Sequence, residues 1–430
     1  MKIYSFKDLS KEKVNELCAR IAEDDNMVIS RVESILSTVK SQGDSALISY
    51  AEEFDKVKLS ALFIEQEQLA EMAKQIPLPV KNAIDIAYQN IYKFHEAQLK
   101  TEAKIETMPG VNCWRETRAI EKVGLYIPGG TAVLPSTFLM LGIPAKIAGC
   151  KEIIVCSPPQ SDGKINTYIA YVSTLLNIKK VYLVGGAQAV GAMAFGTQTV
   201  PKVDKIFGPG NRYVTEAKKK VQNIVAIDMP AGPSEVLIIA DETANPAFIA
   251  ADLLAQAEHG VDSQAILVAT NQKIINDTLI EIEQQLIELP RKEIASKAMN
   301  NSYVIYADTL AEAMEFSNSY APEHLILATN NFESLIPAII NAGSVFLGNL
   351  TPESAGDYAS GTNHTLPTSG FAKAFSGVSV DTFLKKITFQ HLSAAGLKNI
   401  GATVEILAKA EGLTAHKNAI TIRLKAQNGR

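Results

Sequence analysis

The chain has 430 residues, a length that suggests about three domains. Its formal net charge of −5 excludes a globally basic surface for nucleic acid. Hydrophobic residues make up 47% and charged residues 20%, which excludes a disordered or collagen-like chain. The four cysteines form no CxxC pair, which argues against thiol-only zinc fingers and redox dithiols. Because the segment MKIYSFKDLSKEKVNEL has no apolar signal core, we expect a cytoplasmic protein.

Residues 11–100 have a helical pattern, with apolar side chains on one face of LPVKNAIDIAYQNIYKFHEAQL. Two β-like runs follow, 103–108 and 111–117, and the Pro-Gly pair between them predicts a hairpin. Residues 123–145 carry no charge over 23 positions, enough to span a bilayer. Their four glycines and three prolines instead favour a buried strand, a loop and a broken helix.

Beyond residue 123, short apolar runs alternate with stretches long enough for helices. The runs are GLYI (124–127), EIIVC (152–156), KVYLV (180–184), DKIF (204–207), NIVAI (223–227), EVLIIA (235–240), QAILVA (264–269), SYVIYA (302–307), HLILAT (324–329) and SVFL (344–347). Such alternation is typical of parallel sheets with crossover helices, and ten runs exceed one ordinary sheet. We therefore predict an α/β fold with two sheets. Residues 380–430 lose the strand pattern and indicate a separate helical or mixed module.

Three glycine-rich segments follow apolar runs: YIPGGTA (126–132), GGAQAVGAMAFG (185–196) and FGPGNRYVTEA (207–217). Open α/β sheets bind ligands at strand ends, and the backbone N–H groups near helix N-termini suit phosphate. None of the three matches GxGxxG, so each also fits a plain strand-to-helix turn. Their occurrence together favours nucleotide binding.

Two short motifs contain residues suited to metal binding and proton transfer. In NPAFIAADLLAQAEHG, Gln256 and His259 share one helix face, and His259 falls in the last turn, where a cation is favoured. A solvated helix end explains that pattern as well. In SYAPEHLIL, Glu323 and His324 directly precede an apolar strand and could serve as a general base and a proton shuttle. The alternative is a capping glutamate beside a half-buried histidine.

Two further segments carry polar residues of interest. The loop 353–370 is long, polar and glycine-rich, and it contains Asp357 and His364. Loops of this length inside compact domains are usually functional, although a flexible surface loop is the alternative. The segment AEGLTAHKN adds Glu411 and His416. Asp, His and Gln side chains offer oxygen and nitrogen ligands for zinc, but spacing alone does not assemble them into a site.

Seven ordered segments resemble the histidinol dehydrogenase family over nearly the whole chain. They are GLYIPGGTAVLPST, VGGAQAVGAMAFGT, VDKIFGPGNRYV, DMPAGPSE, DLLAQAEHG, SYAPEHL and AGDYASGTNHTLPT. The resemblance implies oxidation of L-histidinol to L-histidine through L-histidinal, the last step of histidine biosynthesis, with reduction of two NAD⁺ and one zinc ion per subunit. It also implies two Rossmann-like α/β domains without the usual fingerprint, small helical N- and C-terminal modules, and an intertwined homodimer.

The resemblance assigns roles to individual residues. The implied zinc ligands are Gln256, His259, Asp357 and His416. The implied catalytic pair is Glu323 and His324. The implied substrate contacts are Ser234, Gln256, His259, His324, Asp357, His364, Glu411 and His416. The implied NAD contacts are Tyr126, Gln188 and Asn211. A second copy of the chain would supply His416 and Glu411, and neither His95 nor His391 receives a role.

We expect four parts along the chain. They are an N-terminal helical arm over 1–25, one α/β domain from 26–122 plus 236–318, a second on the NAD side from 123–235 plus 319–378, and a tail module over 379–430 that completes the partner's site.

Three alternatives to this reading stay open. A zinc hydrolase could use the same ligands with Glu323 as its base, but it needs no glycine-rich dinucleotide loops. A two-lobed binding protein would leave Glu323 and His324 without a role. A covalent route would use Cys113 or Cys150 as a nucleophile, although a structural cysteine is favoured at both positions.

Overall fold

The computed structural model describes residues 1–20, 26–129, 133–230 and 232–428. The chain separates into two compact units, a larger one of 1–96 with 120–383 and a smaller one of 97–119 with 384–430. The larger unit contains two six-stranded sheets, here called sheet I and sheet II. The predicted α/β class with two sheets is therefore confirmed.

Sheet I is parallel except at one edge, where the strand Phe63–Glu65 runs antiparallel to the strand Lys180–Leu183. Its strands, in spatial order, are β2 (Phe63–Glu65), β7 (Lys180–Leu183), β6 (Glu152–Ser157), β5 (Lys122–Tyr126), β8 (Lys205–Phe207) and β9 (Ala226–Ile227). Alternate strand residues point to opposite faces, so helices cover both sides. One face packs against α4 (Gln66–Ala73), α5 (Leu78–Glu96), α6 (Pro135–Ala148) and α7 (Thr167–Leu176). The other packs against α2 (Asn26–Gln42), α3 (Asp44–Tyr50), α8 (Gly186–Phe195) and α9 (Arg212–Val221).

Sheet II is parallel throughout. Its strands, in spatial order, are β1 (Lys2–Ser5), β12 (Tyr303–Tyr306), β11 (Gln264–Ala269), β10 (Glu235–Ala240), β13 (His324–Ala328) and β14 (Ser344–Leu347). One face packs against α10 (Pro246–Ala257), α11 (Gln272–Glu288) and α12 (Lys292–Asn300), and the other against α1 (Lys11–Cys18) and α13 (Leu310–Tyr320). The short α14 (Glu353–Tyr358) follows β14.

The smaller unit is a three-stranded antiparallel sheet with two helices. It comprises β3 (Ile105–Met108), β4 (Val111–Ala119), β15 (Leu384–Leu392), α15 (Ala394–Ala410) and α16 (Thr414–Asn428). The hairpin predicted around Pro109 and Gly110 is confirmed as β3 and β4. Within the described residues, no helix combines the length and apolarity that a membrane span needs.

The strand pairing groups the chain differently from the predicted domains. Strands of 236–318 pair with strands of 319–378, because β13 is hydrogen-bonded directly to β10. They share no sheet with 26–122, so that part of the prediction is wrong. The arm 1–25 contributes β1 to sheet II, although its residues 21–25 lie outside the described ranges. The tail module 379–430 contains the nine-residue strand β15 as well as helices.

A buried ion pair joins the N-terminal segment to the start of β10. Arg20 donates from Nε and Nη2 to the two carboxylate oxygens of Glu235, at 2.8 and 2.6 Å. The guanidinium also lies 3.7 Å from the ring centroid of Tyr320. The backbone N–H of Ser369 donates to the same carboxylate at 2.7 Å. The pair therefore holds together three segments of the larger unit.

Replacing Arg20 by Ala leaves the buried Glu235 carboxylate without its cation. We expect the free energy of unfolding to fall by about 3–5 kcal/mol, because an uncompensated buried charge is strongly unfavourable. Urea unfolding followed by circular dichroism measures the change. The control is Lys7→Ala, which breaks an exposed pair with Asp308 and should change stability little. Equal effects of the two substitutions would contradict the prediction.

Candidate active site

A cavity of about 150 Å³ lies where the two sheets of the larger unit approach each other. Sheet I contributes the segment 208–210, which follows the carboxyl end of β8, to the cavity wall. Sheet II meets it at amino ends, through Ser234 before β10 and through Glu323 and His324 at the start of β13. His259, Asp357 and His364 also line it. The structure thus gathers into one cavity six of the twelve residues named above for metal, substrate and cofactor.

The imidazole of His324 is buried and has a defined tautomer. Its Nδ1 lies 3.2 Å from the backbone oxygen of Glu235, an acceptor, so Nδ1 carries the proton. In the neutral ring, Nε2 therefore presents its lone pair, and it has no hydrogen-bond partner among the described residues. Nε2 lies 3.6 Å from a carboxylate oxygen of Asp357. This nitrogen is placed to accept a proton from a ligand in the cavity.

Three carboxylates surround His324. Oε1 of Glu353 lies 3.5 Å from Nδ1, Oε2 of Glu323 lies 3.7 Å from it, and Asp357 faces the other nitrogen. Burial lowers the pKa of His324, but these carboxylates outweigh it and raise the pKa overall. They do so by stabilising the imidazolium, which makes His324 a stronger base than an isolated histidine.

Glu323 is buried next to this imidazole. Its Oε2 accepts the backbone N–H of Glu235 at 2.9 Å, which fixes the carboxyl group at the cavity wall. Burial raises the pKa of Glu323 to about 8, while the charge of His324 opposes that rise. A carboxyl group with a pKa raised toward neutrality is suited to general acid–base catalysis.

Glu353 is a part of the cluster that the sequence analysis does not identify. It is the first residue of α14 and is fully buried, and its Oε2 has no partner among the described residues. Burial raises its pKa to about 8. Its position at the start of a polar segment does not indicate burial or function, since exposed glutamates are common at the start of helices. Its burial depends on tertiary packing, which includes the contact of α14 with α10.

Gln256 has a buried side chain that could bind a metal. The side chain is 0% exposed and does not line the cavity, yet neither its amide oxygen nor its amide nitrogen has a hydrogen-bond partner among the described residues. An unsatisfied buried amide costs free energy that a ligand would recover. One turn later, Nδ1 of His259 lies 3.0 Å from the backbone oxygen of Ala255, so Nε2 is the nitrogen left available to a metal. Ligand atoms of His324, Glu353 and Asp357 also lie within 4.8 Å of one another.

His364 is oriented by two hydrogen bonds. Nδ1 donates to the backbone oxygen of Asp357 at 2.9 Å, and Nε2 lies 3.1 Å from Oγ1 of Thr137, which donates to it. Burial lowers the pKa of His364, so the neutral ring is favoured. Thr137 lines the cavity too and had no signal in the sequence. By contrast, His95 is buried away from the cavity and bonded within the fold, which gives it a packing role.

The three expected NAD contacts lie after carboxyl ends of sheet I. Tyr126 ends β5, and its hydroxyl accepts the backbone N–H of Gly186 at 3.1 Å. Gln188 is buried in the first turn of α8. Asn211 caps α9, accepting the N–H groups of the second and third residues beyond it. None of the three lines the cavity itself. Residues 130–132 of the first glycine-rich loop and residue 231 of DMPAGPSE lie outside the described residues.

Glu411 and His416 belong to the smaller unit. Glu411 follows α15 and His416 lies in the first turn of α16, and both are exposed. Their assignment as ligands stays a prediction.

Comparisons with known proteins agree with one another. The family model described as histidinol dehydrogenase matches residues 18–424. The chain is 54% identical to the histidinol dehydrogenase of Bacteroides thetaiotaomicron, over 96% of this chain and 97% of that protein. It is 51% identical to the chloroplastic histidinol dehydrogenase of Arabidopsis thaliana, over 99% of this chain and 92% of that protein. A crystal structure of histidinol dehydrogenase from Elizabethkingia anophelis superposes with a TM-score of 0.96 at 52% identity, covering 100% of this chain and 99% of the other. The chain therefore belongs to the histidinol dehydrogenase family of NAD-dependent oxidoreductases.

Proposed function

We propose that the chain oxidises L-histidinol to L-histidine through L-histidinal, using zinc and two NAD⁺, at the last step of histidine biosynthesis. The observation that carries this proposal is the pairing of Glu323 with His324 in one cavity beside Asp357 and His259. That arrangement supplies a raised-pKa carboxyl group, a bare imidazole nitrogen and metal-binding side chains together. Family membership supports the assignment of the substrate.

Gln256, His259 and Asp357 are the proposed zinc ligands from one subunit, and His416 of a second copy completes the set. The donor chemistry fits, because the unpartnered Gln256 amide and the free His259 nitrogen lie one turn apart. When bound, zinc supplies a redox-inert Lewis acid that orients the imidazole and amino nitrogens of the substrate.

In the first oxidation, Nε2 of His324 removes the proton from the substrate hydroxyl as the carbinol hydrogen leaves as hydride. NAD⁺, when bound, accepts a hydride in each of the two oxidations. The carboxylates around His324 stabilise the imidazolium that forms. The products of this half-reaction are L-histidinal, a proton held on His324, and NADH.

In the second oxidation, Glu323 removes a proton from water as the water oxygen attacks the aldehyde carbon. His324, after releasing its first proton to solvent, removes a proton from the resulting hydrate while the second hydride leaves, which gives the carboxylate. The two residues are adjacent in sequence and share one wall of the cavity, so both reach the same carbon without a change of fold.

The cofactor is proposed to contact Tyr126, Gln188 and Asn211. The hydrogen bond from Gly186 to the Tyr126 hydroxyl supports a common location for the first two. The N-termini of α8 and α9 offer backbone N–H groups for the phosphates. Substrate contacts from Ser234 and His364 follow from their place in the cavity wall.

We also propose an intertwined homodimer in which Glu411 and His416 reach the site of a second subunit. Their exposure on the smaller unit supports this arrangement. Removal of zinc by a chelator should abolish activity or loosen the dimer while each α/β core stays folded. A fully active monomer would contradict the proposal. The cytoplasmic location stays a prediction, and the Arabidopsis thaliana relative is named as chloroplastic.

One assay tests the function directly. Purified protein with L-histidinol, NAD⁺ and zinc should produce two NADH for each substrate consumed, followed by the absorbance of NADH. No NADH, or one NADH with release of the aldehyde, would contradict the proposal. A zinc hydrolase or a binding protein would give no NADH at all.

The proposed mechanism needs no thiol, so Cys113→Ala and Cys150→Ala variants should retain full turnover. Burial raises the pKa of Cys150 to about 12, which suppresses its thiolate at neutral pH. Neither cysteine lines the cavity. Steady-state rates with L-histidinol and with L-histidinal measure the effect. A loss restricted to aldehyde oxidation in either variant would indicate a covalent intermediate.

A further inference from the structure

A buried ion pair beside the cavity has no role in the function proposed above. Lys218 lies on α9 and Asp228 directly follows β9, and both line the cavity. The Lys218 residue is only 4% exposed, and its Nζ is paired with Oδ1 of Asp228. A buried ion pair is weak evidence for stability, because an apolar pair of similar size often serves equally well. Its geometry is therefore the more informative property.

The pair holds both backbone polar groups of Gly208. Nζ of Lys218 donates to the oxygen of Gly208 at 2.9 Å. The N–H of Gly208 donates to Oδ2 of Asp228 at 2.8 Å. Gly208 has a φ of +126°, and a Cβ there would lie 2.2 Å from the backbone oxygen of Tyr126. The pair thus fixes a glycine directly against the end of β5.

Gly208 begins the turn that leads to the cap of α9 at Asn211. Tyr126 on one side of this turn and Asn211 at its end are two of the three proposed NAD contacts. A shift of Gly208 would move both relative to each other. The binding of a dinucleotide across these residues therefore depends on the pair, although neither charged side chain needs to touch it.

We propose that Lys218 and Asp228 are positioning residues for the cofactor, which hold the turn 208–211 in the conformation that binds NAD⁺. The inference rests on the proposed use of NAD⁺ and adds a determinant of cofactor affinity. It involves none of the residues proposed above to bind zinc or L-histidinol.

The test is Lys218→Met in the full-length enzyme with zinc. We expect the KM for NAD⁺ to rise about tenfold, with the KM for L-histidinol and kcat within about twofold of wild type. Titration of NADH fluorescence should show the same loss of affinity without turnover. Lys218→Arg, which keeps a charged donor, should recover part of the affinity. Lys218→Gln keeps a neutral hydrogen-bond donor, so its affinity for NAD⁺ should lie between those of the Met variant and the wild type. If the Met variant does not fold, the Gln variant is measured in its place.

The matched control is Lys146→Met. Lys146 also donates to a backbone oxygen of the larger unit, that of Leu175 at 3.2 Å, but it does not line the cavity. Its KM values should match wild type. An unchanged NAD⁺ KM in the folded Lys218 variants, or an equal rise in both KM values, would overturn the inference. A wild-type enzyme that forms no NADH from L-histidinol would instead refute the proposed function, so the two failures are distinguishable.

Discussion

Replacing Glu323 by Gln should slow the oxidation of L-histidinal by roughly 10²–10⁴-fold, the range expected for loss of a general base. Oxidation of L-histidinol should fall far less, because in the proposed mechanism His324 removes the hydroxyl proton in that half-reaction. Gln has nearly the same shape, and its amide oxygen can still accept the N–H of Glu235 that now binds Oε2 at 2.9 Å. The substitution therefore removes the base but keeps the hydrogen bond that positions the side chain.

Single-turnover measurements with each substrate separate the two half-reactions. The matched control is Glu353→Gln, since Glu353 is equally buried and lies 3.5 Å from Nδ1 of His324 but does not line the cavity. Because Glu353 stabilises the His324 imidazolium, its replacement should slow both half-reactions by similar factors. Equal losses in both half-reactions with Glu323→Gln would exclude the separate role of Glu323 with water.

The strands were predictable because a parallel strand covered on both faces is a continuous apolar run. All ten predicted runs contain strands, five in each sheet. The three missed strands are β1, β2 and β15. β1 and β2 have four and three residues and are partly exposed, and β15 is exposed along most of its length, so none forms such a run. The grouping of strands was not predictable, because parallel neighbours are joined by long crossovers and the pairing of β10 with β13 spans more than eighty residues.

The residues of the candidate site were likewise only partly predictable from the sequence. Glu323, His324 and Gln256 belong to motifs that are ambiguous alone, and only the resemblance of seven ordered segments joined them. Lys218 belongs to a run of three lysines, a pattern typical of a solvated helix face. Its burial follows from packing of α9 against α8 and from the acceptor that β9 places opposite it. Contacts of this kind, between residues far apart in the chain, cannot be predicted from the sequence around Lys218.

Replacing Gln256 by Leu should have opposite effects on the stability of the metal-free protein and on zinc affinity. The amide is fully buried and both of its polar atoms lack partners in the described parts of the chain, so an apolar side chain of similar size removes an unsatisfied group. We expect the free energy of unfolding of the metal-free protein to rise by about 1–3 kcal/mol. Zinc affinity should fall by roughly a hundredfold, because one oxygen donor is lost.

Chemical unfolding after chelation measures the first effect, and competition with a chromophoric chelator measures the second. Thr278→Val is the matched control, since its hydroxyl on α11 is likewise buried without a partner among the described residues, but Thr278 is not a proposed zinc ligand. It should raise stability without changing zinc affinity. A destabilised metal-free Gln256→Leu protein would mean that the amide supports the fold through contacts of its own. Unchanged zinc affinity would remove Gln256 from the ligand set and leave Asp357 and His259 as the zinc ligands of this subunit.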